Sequence, residues 1–419
     1  MIKILHVGYS DFIGGAARAS YRVHRALLQA KLDSRMRVIL KGSEDPTVLG
    51  GQCHGFDRFL WSFKSKATGF AIKSFLGAAN ESLSLAWHDT GLGKELNKAN
   101  VDIINLHWLG NKTLSINEIQ KIKKPVVWRL ADMWAFCGAE HYSDSDRYVH
   151  GYTESNRPFG ENGIDLNRLT WLLKKKAWKK PINIVCPTSW LADCVKSSAL
   201  MAEWPVNVIP TSIDLNVFSP VEKSLARSIL GISTAPRLIL FGAIGGLRDE
   251  RKGGDLLLES IRHLKHIYSY EKLDFELLVF GDPRNSLAED IGCKVHFLGH
   301  LHDDVTLKLA YSAADVMVIP SRQDNLPGTG LEAHACGTPI VAFKIGGLPE
   351  IIQHLDTGYL AKPFDAEDLA QGISWVISDS LRLKELRENA RARAELLWSP
   401  EVVSNQYINL YNHILKHDR

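Results

Sequence analysis

Two acidic residues eight positions apart, Asp324 and Glu332, are the first candidates for chemistry in this sequence. A predicted strand ends at Pro320, a loop rich in glycine and proline follows it, and a helix is predicted from about Thr329 to Ala335. Because the amide groups and the dipole at a helix N-terminus attract anions, this loop predicts a phosphate site. The two acids could then accept hydrogen bonds from the hydroxyl groups of a sugar or ribose. The alternative is an ordinary strand–loop–helix unit with a solvated acid.

The residues that follow Glu332 indicate which type of phosphate site this loop forms. They read Ala-His-Ala-Cys-Gly-Thr-Pro-Ile-Val-Ala. Together with the spacing of the two acids, they closely resemble the donor-binding signature of retaining GT-B glycosyltransferases, in particular glycosyltransferase family 4. The usual signature has glutamate at both ends, and Asp324 keeps the charge on a shorter side chain. The resemblance covers nearly the whole chain, strongly in its second half and less completely in its first.

The resemblance implies a role for each part of the loop. Glu332 would bind the ribose of a nucleotide, whereas Asp324 and the backbone of residues 326–329 would face the donor sugar and the diphosphate. Lys252, with Arg251 beside it, would neutralise the diphosphate. Standing alone before two glycines, such a lysine is more often a solvated helix start. Since a cation and backbone amides can stabilise a leaving phosphate, no metal and no other cofactor is expected.

Two further stretches fit the same donor site. Phe297 lies in a predicted strand whose edge cradles the base in the family. Gly15 lies in a glycine loop after the first strand, where the backbone could approach the donor phosphates, although a lone Gly-Gly pair is weak evidence. The expected donor-binding residues are Gly15, Arg251, Lys252, Phe297, Asp324, Leu326, Pro327, Gly328, Thr329 and Glu332. The catalytic candidates are Lys252, Asp324 and Asp132.

The first half of the chain departs from the family at one position. The resemblance places a histidine immediately before Asp132, beside the reacting sugar carbon, and this chain has Ala131. Either Asp132 or His141 could serve the site, or the protein is a weak or inactive enzyme. The family mechanism, in which the leaving phosphate helps to deprotonate the acceptor, requires no protein nucleophile. The expected acceptor-binding residues are His107, Trp108, Trp134 and His141, with core packing or a structural role as the alternative for each.

The elements that must position these residues alternate along the chain. Short apolar runs separate longer amphipathic stretches, which is the βαβ pattern of parallel sheets. Strands are predicted at 3–8, 101–107, 125–130, 182–188, 206–210, 237–243, 275–281, 295–299, 315–320, 339–343 and 357–361. The resemblance implies an α/β fold of the GT-B type, with two Rossmann-like domains facing a central cleft.

The domain boundary is predicted where the alternating pattern breaks, after residue 210. Residues 1–210 would form an N-terminal, Rossmann-like acceptor-binding domain, and residues 211–399 a C-terminal, Rossmann-like donor-binding domain. Ser399 and Pro400 are typical of a helix start and predict a last helix over 400–416. Its periodicity does not say whether this terminal segment, 400–419, packs on the second domain or back on the first.

Composition limits the class of protein. A chain of 419 residues is long enough for two or three domains. The net charge of +3 gives no indication of nucleic-acid binding. Six dispersed cysteines without a CxxC pair disfavour a disulfide framework or a zinc site and favour a reducing cytoplasm. No apolar run is long enough to span a membrane.

Two segments, 59–76 and 171–180, mix basic residues with tryptophan or phenylalanine. This composition is typical of helices that lie on anionic lipid, and a solvated helix face is the alternative for each segment. The composition of these segments therefore suggests the hypothesis that the protein contacts the inner face of a membrane peripherally.

The sequence thus predicts a metal-independent, retaining glycosyltransferase. It would move a sugar from a UDP- or GDP-sugar to a glycan or lipid-linked oligosaccharide acceptor in surface polysaccharide synthesis. The alternatives are a nucleotide-binding subunit without turnover, favoured by Ala131, and a GT-B nucleotide-sugar epimerase, disfavoured by the glycine loop. An NAD-dependent dehydrogenase is disfavoured because no G-x-G-x-x-G follows the first strand.

Overall fold

A computed structural model describes residues 1–50, 83–110, 113–161, 163–243, 245–271, 274–281 and 292–417. The contacts within the chain divide it into two compact units. Unit 1 holds residues 1–209 together with the chain from Tyr407 onward, and unit 2 holds Pro210–Gln406. The chain therefore passes from one unit to the other at two places, next to Pro210 and inside the last helix.

Unit 1 is built on a seven-stranded sheet in the order β3-β2-β1-β4-β5-β6-β7, with every pairing parallel. Its strands are β1 Lys3–Ser10, β2 Asp33–Leu40, β3 Val48–Gly50, β4 Ile103–Leu106, β5 Val126–Arg129, β6 Asn183–Cys186 and β7 Val206–Val208. Its helices are α1 Gly15–Gln29, α2 Leu92–Lys98, α3 Ile116–Gln120, α4 Arg147–His150, α5 Leu166–Ala177 and α6 Ser189–Ser197.

Two strands of unit 1, β2 and β3, were missing from the prediction. In β2 only Ser34, Met36 and Val38 are buried, and charged residues alternate with them, so the strand has no continuous apolar run. The β3 strand is only three residues long. By contrast, every residue of β4 and β5 is buried, as expected for central strands of a parallel sheet with both faces covered.

Unit 2 is built on a six-stranded sheet in the order β10-β9-β8-β11-β12-β13, again with parallel pairings. Its strands are β8 Arg237–Gly242, β9 Phe275–Phe280, β10 Val295–Phe297, β11 Val316–Ile319, β12 Ile340–Phe343 and β13 Gly358–Ala361. Its helices are α7 Lys223–Ile229, α8 Gly254–Glu271, α9 Asp304–Ala313, α10 Gly328–Ala335, α11 Leu348–Ile351, α12 Ala366–Ser378 and α13 Ser380–Trp398. Two short 3₁₀ turns, Gly246–Arg248 and Glu250–Lys252, precede α8.

Each sheet has a point where the strand order reverses, between β1 and β4 in unit 1 and between β8 and β11 in unit 2. At such a point the connections leave to opposite faces of the sheet and open a crevice at the carboxyl ends of the strands, where ligands bind in open α/β folds. Gly15 and His107 follow β1 and β4, and Lys252 and Asp324 follow β8 and β11. The topology therefore gathers predicted site residues separately within each unit.

The last helix, α14, spans Pro400–His417. Tyr407 and Tyr411 on this helix are fully buried, and the Tyr411 hydroxyl donates to Asn105 Oδ1 at 2.7 Å. Asn105 belongs to β4, so the end of α14 packs within unit 1. Within the described ranges, no helix has both the length and the apolar content needed to cross a bilayer.

Candidate functional site

The site in unit 2 centres on an ion pair between Lys252 and Asp324. Lys252 Nζ donates to Asp324 Oδ2 at 2.6 Å, and the Ser321 hydroxyl donates to the same oxygen at 3.0 Å. Burial alone would raise the pKa of Asp324, but the adjacent Lys252 and Arg251 cations outweigh it and hold the pKa below its ordinary value. The Asp324 carboxylate therefore stays charged and fixes the position of the Lys252 ammonium group.

Two glycines permit the close approach of the loops that carry this pair. Gly253 has φ +68°, and a Cβ there would lie 1.9 Å from the Pro320 carbonyl oxygen. Gly346 has φ +53°, and a Cβ there would lie 2.1 Å from the carbonyl oxygen of Asp324. Any side chain at either position would push a loop away from the site and would also strain the backbone.

Arginines link the loop after β8 to the loop after β11. Arg251 Nη1 donates to the Gln323 carbonyl oxygen at 3.0 Å, and the Arg322 amide donates to the Arg251 carbonyl oxygen at 2.8 Å. Arg322 also forms a two-point contact with Asp255 in the first turn of α8, at 2.8 and 2.6 Å. Planar contacts of this kind restrict orientation as well as distance, so they hold the two loops in one arrangement.

The predicted anion-binding helix is α10, which begins at Gly328, one residue earlier than predicted. No side chain caps its first turn at Pro327, so the amides there are suited to a bound anion. Glu332 is 4% exposed, and its Oε2 accepts a 2.6 Å hydrogen bond from the Tyr311 hydroxyl. The structure thus brings Lys252, Asp324, Glu332 and the start of α10 into unit 2, and it adds Ser321 and Tyr311, which the sequence analysis did not identify.

Phe297 lies at the end of the edge strand β10 and is partly buried against the core of unit 2. The remaining donor-site prediction, Gly15, belongs to unit 1. It is the first residue of α1 and lines a pocket of about 150 Å³ with Gly8, Gly14, His107 and Trp108. The pocket lies at the reversal point between β1 and β4, so the predicted Gly15 and His107 are close together.

His107 is 1% exposed, and its Nε2 lies 2.8 Å from His6 Nδ1. Its other ring nitrogen, Nδ1, is buried and has no hydrogen-bond partner among the described residues. Burial lowers the pKa of His107 well below its ordinary value, and the nearby Arg129 cation lowers it further. The ring is therefore neutral at pH 7.

Asp132, His141 and Trp108 form a cluster after β4 and β5. Asp132 Oδ2 lies 2.6 Å from His141 Nδ1 and accepts a 2.8 Å hydrogen bond from Trp108 Nε1. His141 Nε2 lies 2.8 Å from the hydroxyl of Ser84, a residue that no sequence pattern singled out. In this chain the histidine beside Asp132 therefore comes from position 141, and Ala131 occupies the position where the resemblance places one.

The structure places Trp134, which was predicted to bind an acceptor, in the core of unit 1. Its ring is 3% exposed, belongs to the core of unit 1 and packs edge-on against Trp128 and Trp178. Its indole Nε1 donates to the Ser84 carbonyl oxygen at 2.7 Å, so its one polar atom is also occupied. The position of Trp134 after a strand end predicts a sugar-stacking role, but its side chain lies in the core of unit 1.

The structure buries both tryptophans of residues 171–180, a segment predicted to lie on anionic lipid. Trp171, Trp178 and Lys174 are buried in unit 1, whereas Leu172 and the remaining lysines of this segment are exposed. An interfacial helix would need its tryptophans on the same outer face as its cations. The other predicted segment, 59–76, lies outside the described residues.

The arrangement of possible metal ligands also bears on the chemistry of the two sites. Within the part of the chain that the structure describes, no group of three or more His, Cys, Asp or Glu residues is arranged to hold a metal ion. The ion pairs at the unit 2 site join Lys252 and Arg251 to the buried carboxylate of Asp324.

Sequence comparison finds a family model that resembles the part of unit 2 around this site. Residues 238–379, which contain Lys252, Asp324 and Glu332, match the model for glycosyl transferases group 1. The match covers about a third of the chain, all of it in unit 2. The resemblance seen in the Asp324–Glu332 signature is therefore confirmed, and the match covers the loops after β8 and β11 that form the unit 2 site.

Individual relatives match about half of the chain. An uncharacterised glycosyltransferase of Methanocaldococcus jannaschii is 32% identical over 207 residues, which are 48% of this chain and 51% of that protein. A GDP-mannose-dependent monoacylated α-(1-6)-phosphatidylinositol monomannoside mannosyltransferase of Corynebacterium glutamicum is 29% identical over 218 residues, 48% of this chain and 55% of that protein. The chain thus spans about half the length of the curated relatives it matches.

Solved structures resemble the chain over its whole length. A sucrose-phosphate synthase from Thermosynechococcus elongatus has a TM-score of 0.68 at 19% identity and covers 100% of both chains. The Anabaena protein HepE, solved with UDP and glucose, has a TM-score of 0.64 at 16% identity and covers 98% of this chain and 100% of its own. These likenesses show the fold, and the predicted GT-B class with two Rossmann-like units is confirmed.

Proposed function

We propose that this protein is a retaining glycosyltransferase that moves a sugar from a nucleotide-sugar donor to a glycan or lipid-linked glycan acceptor. The observation that carries the proposal is the Lys252–Asp324 pair beside the uncapped start of α10, at the reversal point of a parallel sheet. A fixed cation and helix-terminal amides at one place suit a leaving nucleoside diphosphate, whose negative charge increases as the sugar bond breaks.

The donor side of the proposal assigns one chemical task to each residue. Lys252, with Arg251 beside it, stabilises the diphosphate, and the amides of residues 326–329 bind its oxygens. Asp324 positions the lysine and faces the donor sugar. Glu332 accepts hydrogen bonds from the ribose hydroxyls, and Phe297 contacts the base. The proposed reaction uses no metal, because these groups supply the positive charge that a cation would otherwise provide.

The acceptor side is proposed for unit 1, where Trp108 and His141 are only partly buried and His107 lines the pocket beside Gly15. A glycan acceptor suits a tryptophan face because sugar rings stack on aromatic surfaces. Support for a lipid-linked acceptor comes from one relative, which by its name acts on a phosphatidylinositol monomannoside.

The donor assignment is tested by calorimetric titration with UDP, GDP, ADP, UDP-glucose and GDP-mannose, each with and without EDTA. We expect one nucleoside diphosphate to bind independently of metal. Replacing Glu332 with Gln should weaken that binding by about 10-fold to 100-fold, since hydrogen bonds to a charged group contribute roughly 1.5–3 kcal/mol.

The matched control for Glu332→Gln is Glu388→Gln, because Glu388 lies on the surface of unit 2 with its side chain 68% exposed. This variant should bind the nucleotide like the unmodified protein. Absence of binding by every nucleotide, or equal binding by Glu332→Gln, would refute the donor site. Nucleotide binding without release of nucleoside diphosphate from any donor would instead favour a binding subunit without turnover.

A further inference from the structure

Tyr311 on helix α9 makes a buried contact with Glu332 on helix α10. Its hydroxyl donates to Glu332 Oε2 at 2.6 Å, a distance typical of a hydrogen bond from a hydroxyl to a charged oxygen. Tyr311 is fully buried, as Glu332 nearly is. The two residues are 21 positions apart in the sequence, so the packing of the two helices brings them together.

The ring of Tyr311 has a fixed place in the core of unit 2. It packs edge-on against Phe280, with 5.9 Å between the ring centroids, and lies near Phe218 on the same core. Gly242 provides the space for the Phe280 ring, because a Cβ at position 242 would lie 2.0 Å from Phe280 Cζ. Since side chains in a close-packed core cannot move without displacing their neighbours, the Tyr311 hydroxyl is held at one point.

The backbone of Tyr311 is also tied to the helix that carries Glu332. The Thr338 hydroxyl donates to the Tyr311 carbonyl oxygen at 2.7 Å. The Thr338 amide donates to the carbonyl oxygen of Ala333, the residue after Glu332, at 2.8 Å. These two hydrogen bonds join the end of α9 to α10, so the phenol and the carboxylate keep the same relative position.

Packing alone does not require a hydroxyl or a carboxylate at this contact. A phenylalanine at position 311 would present the same ring to Phe280, and an apolar residue at position 332 would avoid the cost of burying a charge. The pair of Tyr311 and Glu332 therefore needs a reason beyond the filling of space. A carboxylate whose orientation matters to a ligand provides that reason.

Glu332 is suitably placed to contact a ribose. It lies about one helical turn after Gly328, where the uncapped start of α10 is proposed to bind the diphosphate, and ribose and diphosphate are adjacent in a nucleotide. A carboxylate has about four acceptor positions, so Glu332 can accept from Tyr311 and from a ligand hydroxyl together. The rotation of the carboxylate decides where those positions point, and the Tyr311 hydroxyl fixes that rotation.

We propose that Tyr311 is a positioning residue, which orients the Glu332 carboxylate so that this site selects nucleotides with an intact ribose over their deoxyribose forms. This inference rests on the proposed function and concerns unit 2 alone. It adds Tyr311 as a residue that determines specificity, and it names sugars attached to ribonucleoside diphosphates as the donor class. A deoxynucleotide binds less tightly because it leaves a hydrogen bond of the buried carboxylate unmade.

The test is calorimetric titration of the whole chain with UDP, GDP and ADP, followed by the 2′-deoxy and 3′-deoxy forms of the nucleotide that binds. The ribose preference is the Kd of the more weakly bound deoxy form divided by the Kd of the ribonucleotide. We expect a preference of about 10-fold to 100-fold, the range for one hydrogen bond to a charged group.

Tyr311→Phe keeps the ring and removes only the hydroxyl. It should weaken binding of the ribonucleotide by about 5-fold to 10-fold and change binding of the same deoxy form by less than about 2-fold, because only the ribonucleotide uses the oriented carboxylate. The ribose preference should therefore fall. A purely structural tyrosine would not produce this result, since a loosened core weakens both nucleotides alike.

The matched control is Tyr359→Phe. Tyr359 lies on the edge strand β13 of the same unit, and its hydroxyl donates to a carboxylate oxygen of Asp368 at 2.8 Å. Its replacement removes the same kind of hydrogen bond and should leave the ribose preference unchanged. The double variant Tyr311→Phe/Glu332→Ala should have the preference of Glu332→Ala alone, because a residue that acts through Glu332 has no carboxylate left to orient.

Three results would overturn the inference while leaving the glycosyltransferase proposal intact. The first is an unmodified protein that binds both deoxy forms as tightly as the ribonucleotide. The second is a Tyr311→Phe variant with the ribose preference of the control, whether its two affinities stay unchanged or fall together. The third is an effect of Tyr311→Phe on the preference that persists at full size in the Glu332→Ala background. If the unmodified protein binds no nucleotide, the proposed function fails and the inference fails with it.

Discussion

At the scale of single residues, Lys252 is the group whose charge the proposed reaction uses most directly. Its ammonium group lies 2.6 Å from one Asp324 oxygen, and its side chain is 21% exposed. A cation held in this way needs no reorganisation when a diphosphate develops charge beside it. The surrounding glycines and arginines serve to keep the lysine at that position.

Replacing Lys252 with Met should lower kcat by about 100-fold to 1,000-fold, the usual cost of removing one preorganised donor. Affinity for the bare nucleoside diphosphate should fall much less, because the charge on the leaving group increases in the transition state. Steady-state release of nucleotide gives kcat, and calorimetry gives the affinity. Lys384→Met, at a position 77% exposed, is the control. Equal losses in kcat and in affinity would contradict a transition-state role.

At the scale of elements, helix α5 fixes the segment that leads from Asp132 to His141. Lys174 on this helix is fully buried and donates to the carbonyl oxygens of Cys137 and Gly138, at 3.1 and 2.7 Å, and also to that of Trp134. Its ammonium group also lies 3.9 Å from the centroid of the Trp134 ring. Burial lowers the pKa of Lys174 to about 7, although charge interactions with Cys137, Glu140 and Asp132 act in the opposite direction.

Replacing Lys174 with Met should lower the free energy of unfolding by about 2–4 kcal/mol, since it leaves buried carbonyl groups without a donor. It should also lower turnover, because residues 134–138 adjoin Asp132. Urea denaturation followed by tryptophan fluorescence measures the first effect. Lys175→Met, the exposed neighbour on the same helix, should change stability by less than about 0.5 kcal/mol. A Lys174→Met variant as stable as this control would contradict the argument.

At the scale of the whole molecule, buried histidines connect stability to pH. Burial lowers the pKa of His24 to about 4 and that of His334 to about 3, and it lowers the pKa values of His6 and His107 well below the ordinary value. His334 lies in unit 2 and the other three lie in unit 1. Both units therefore contain rings that remain neutral in the folded state under mildly acidic conditions.

The free energy of unfolding should therefore fall as the pH decreases from about 6.5 to 4. Over this range the unfolded chain takes up protons on these histidines and the folded chain does not. A pKa of about 4 against 6.5 corresponds to about 3 kcal/mol for His24 alone. Urea midpoints at pH 7.5, 6 and 5 measure the loss. His24→Gln should show a smaller pH dependence than the exposed control His150→Gln, and equal dependence would contradict this assignment.

The sequence by itself determined the fold class and the resemblance to glycosyl transferases group 1. Buried parallel strands have continuous apolar runs in the sequence, and such runs can be recognised directly. The donor signature is also local, because Asp324 and Glu332 lie eight positions apart on one loop and the helix that follows it. The sequence also named Lys252, although its ion pair with Asp324 joins residues 72 positions apart and required the structure. Strands β2 and β3 were missed because alternating charges and short length leave no such run.

Tertiary structure alone decided which residues surround Asp132 and which tryptophans are available to a ligand. Spacing could not show that the chain turns inward at Trp134, or that Trp171 and Trp178 are buried beneath a basic surface. It could not bring Ser84 to His141, 57 positions away, because neither residue lies in a recognisable motif. It could not assign the end of α14 to unit 1 either, because an amphipathic period shows that a face is buried without showing what buries it.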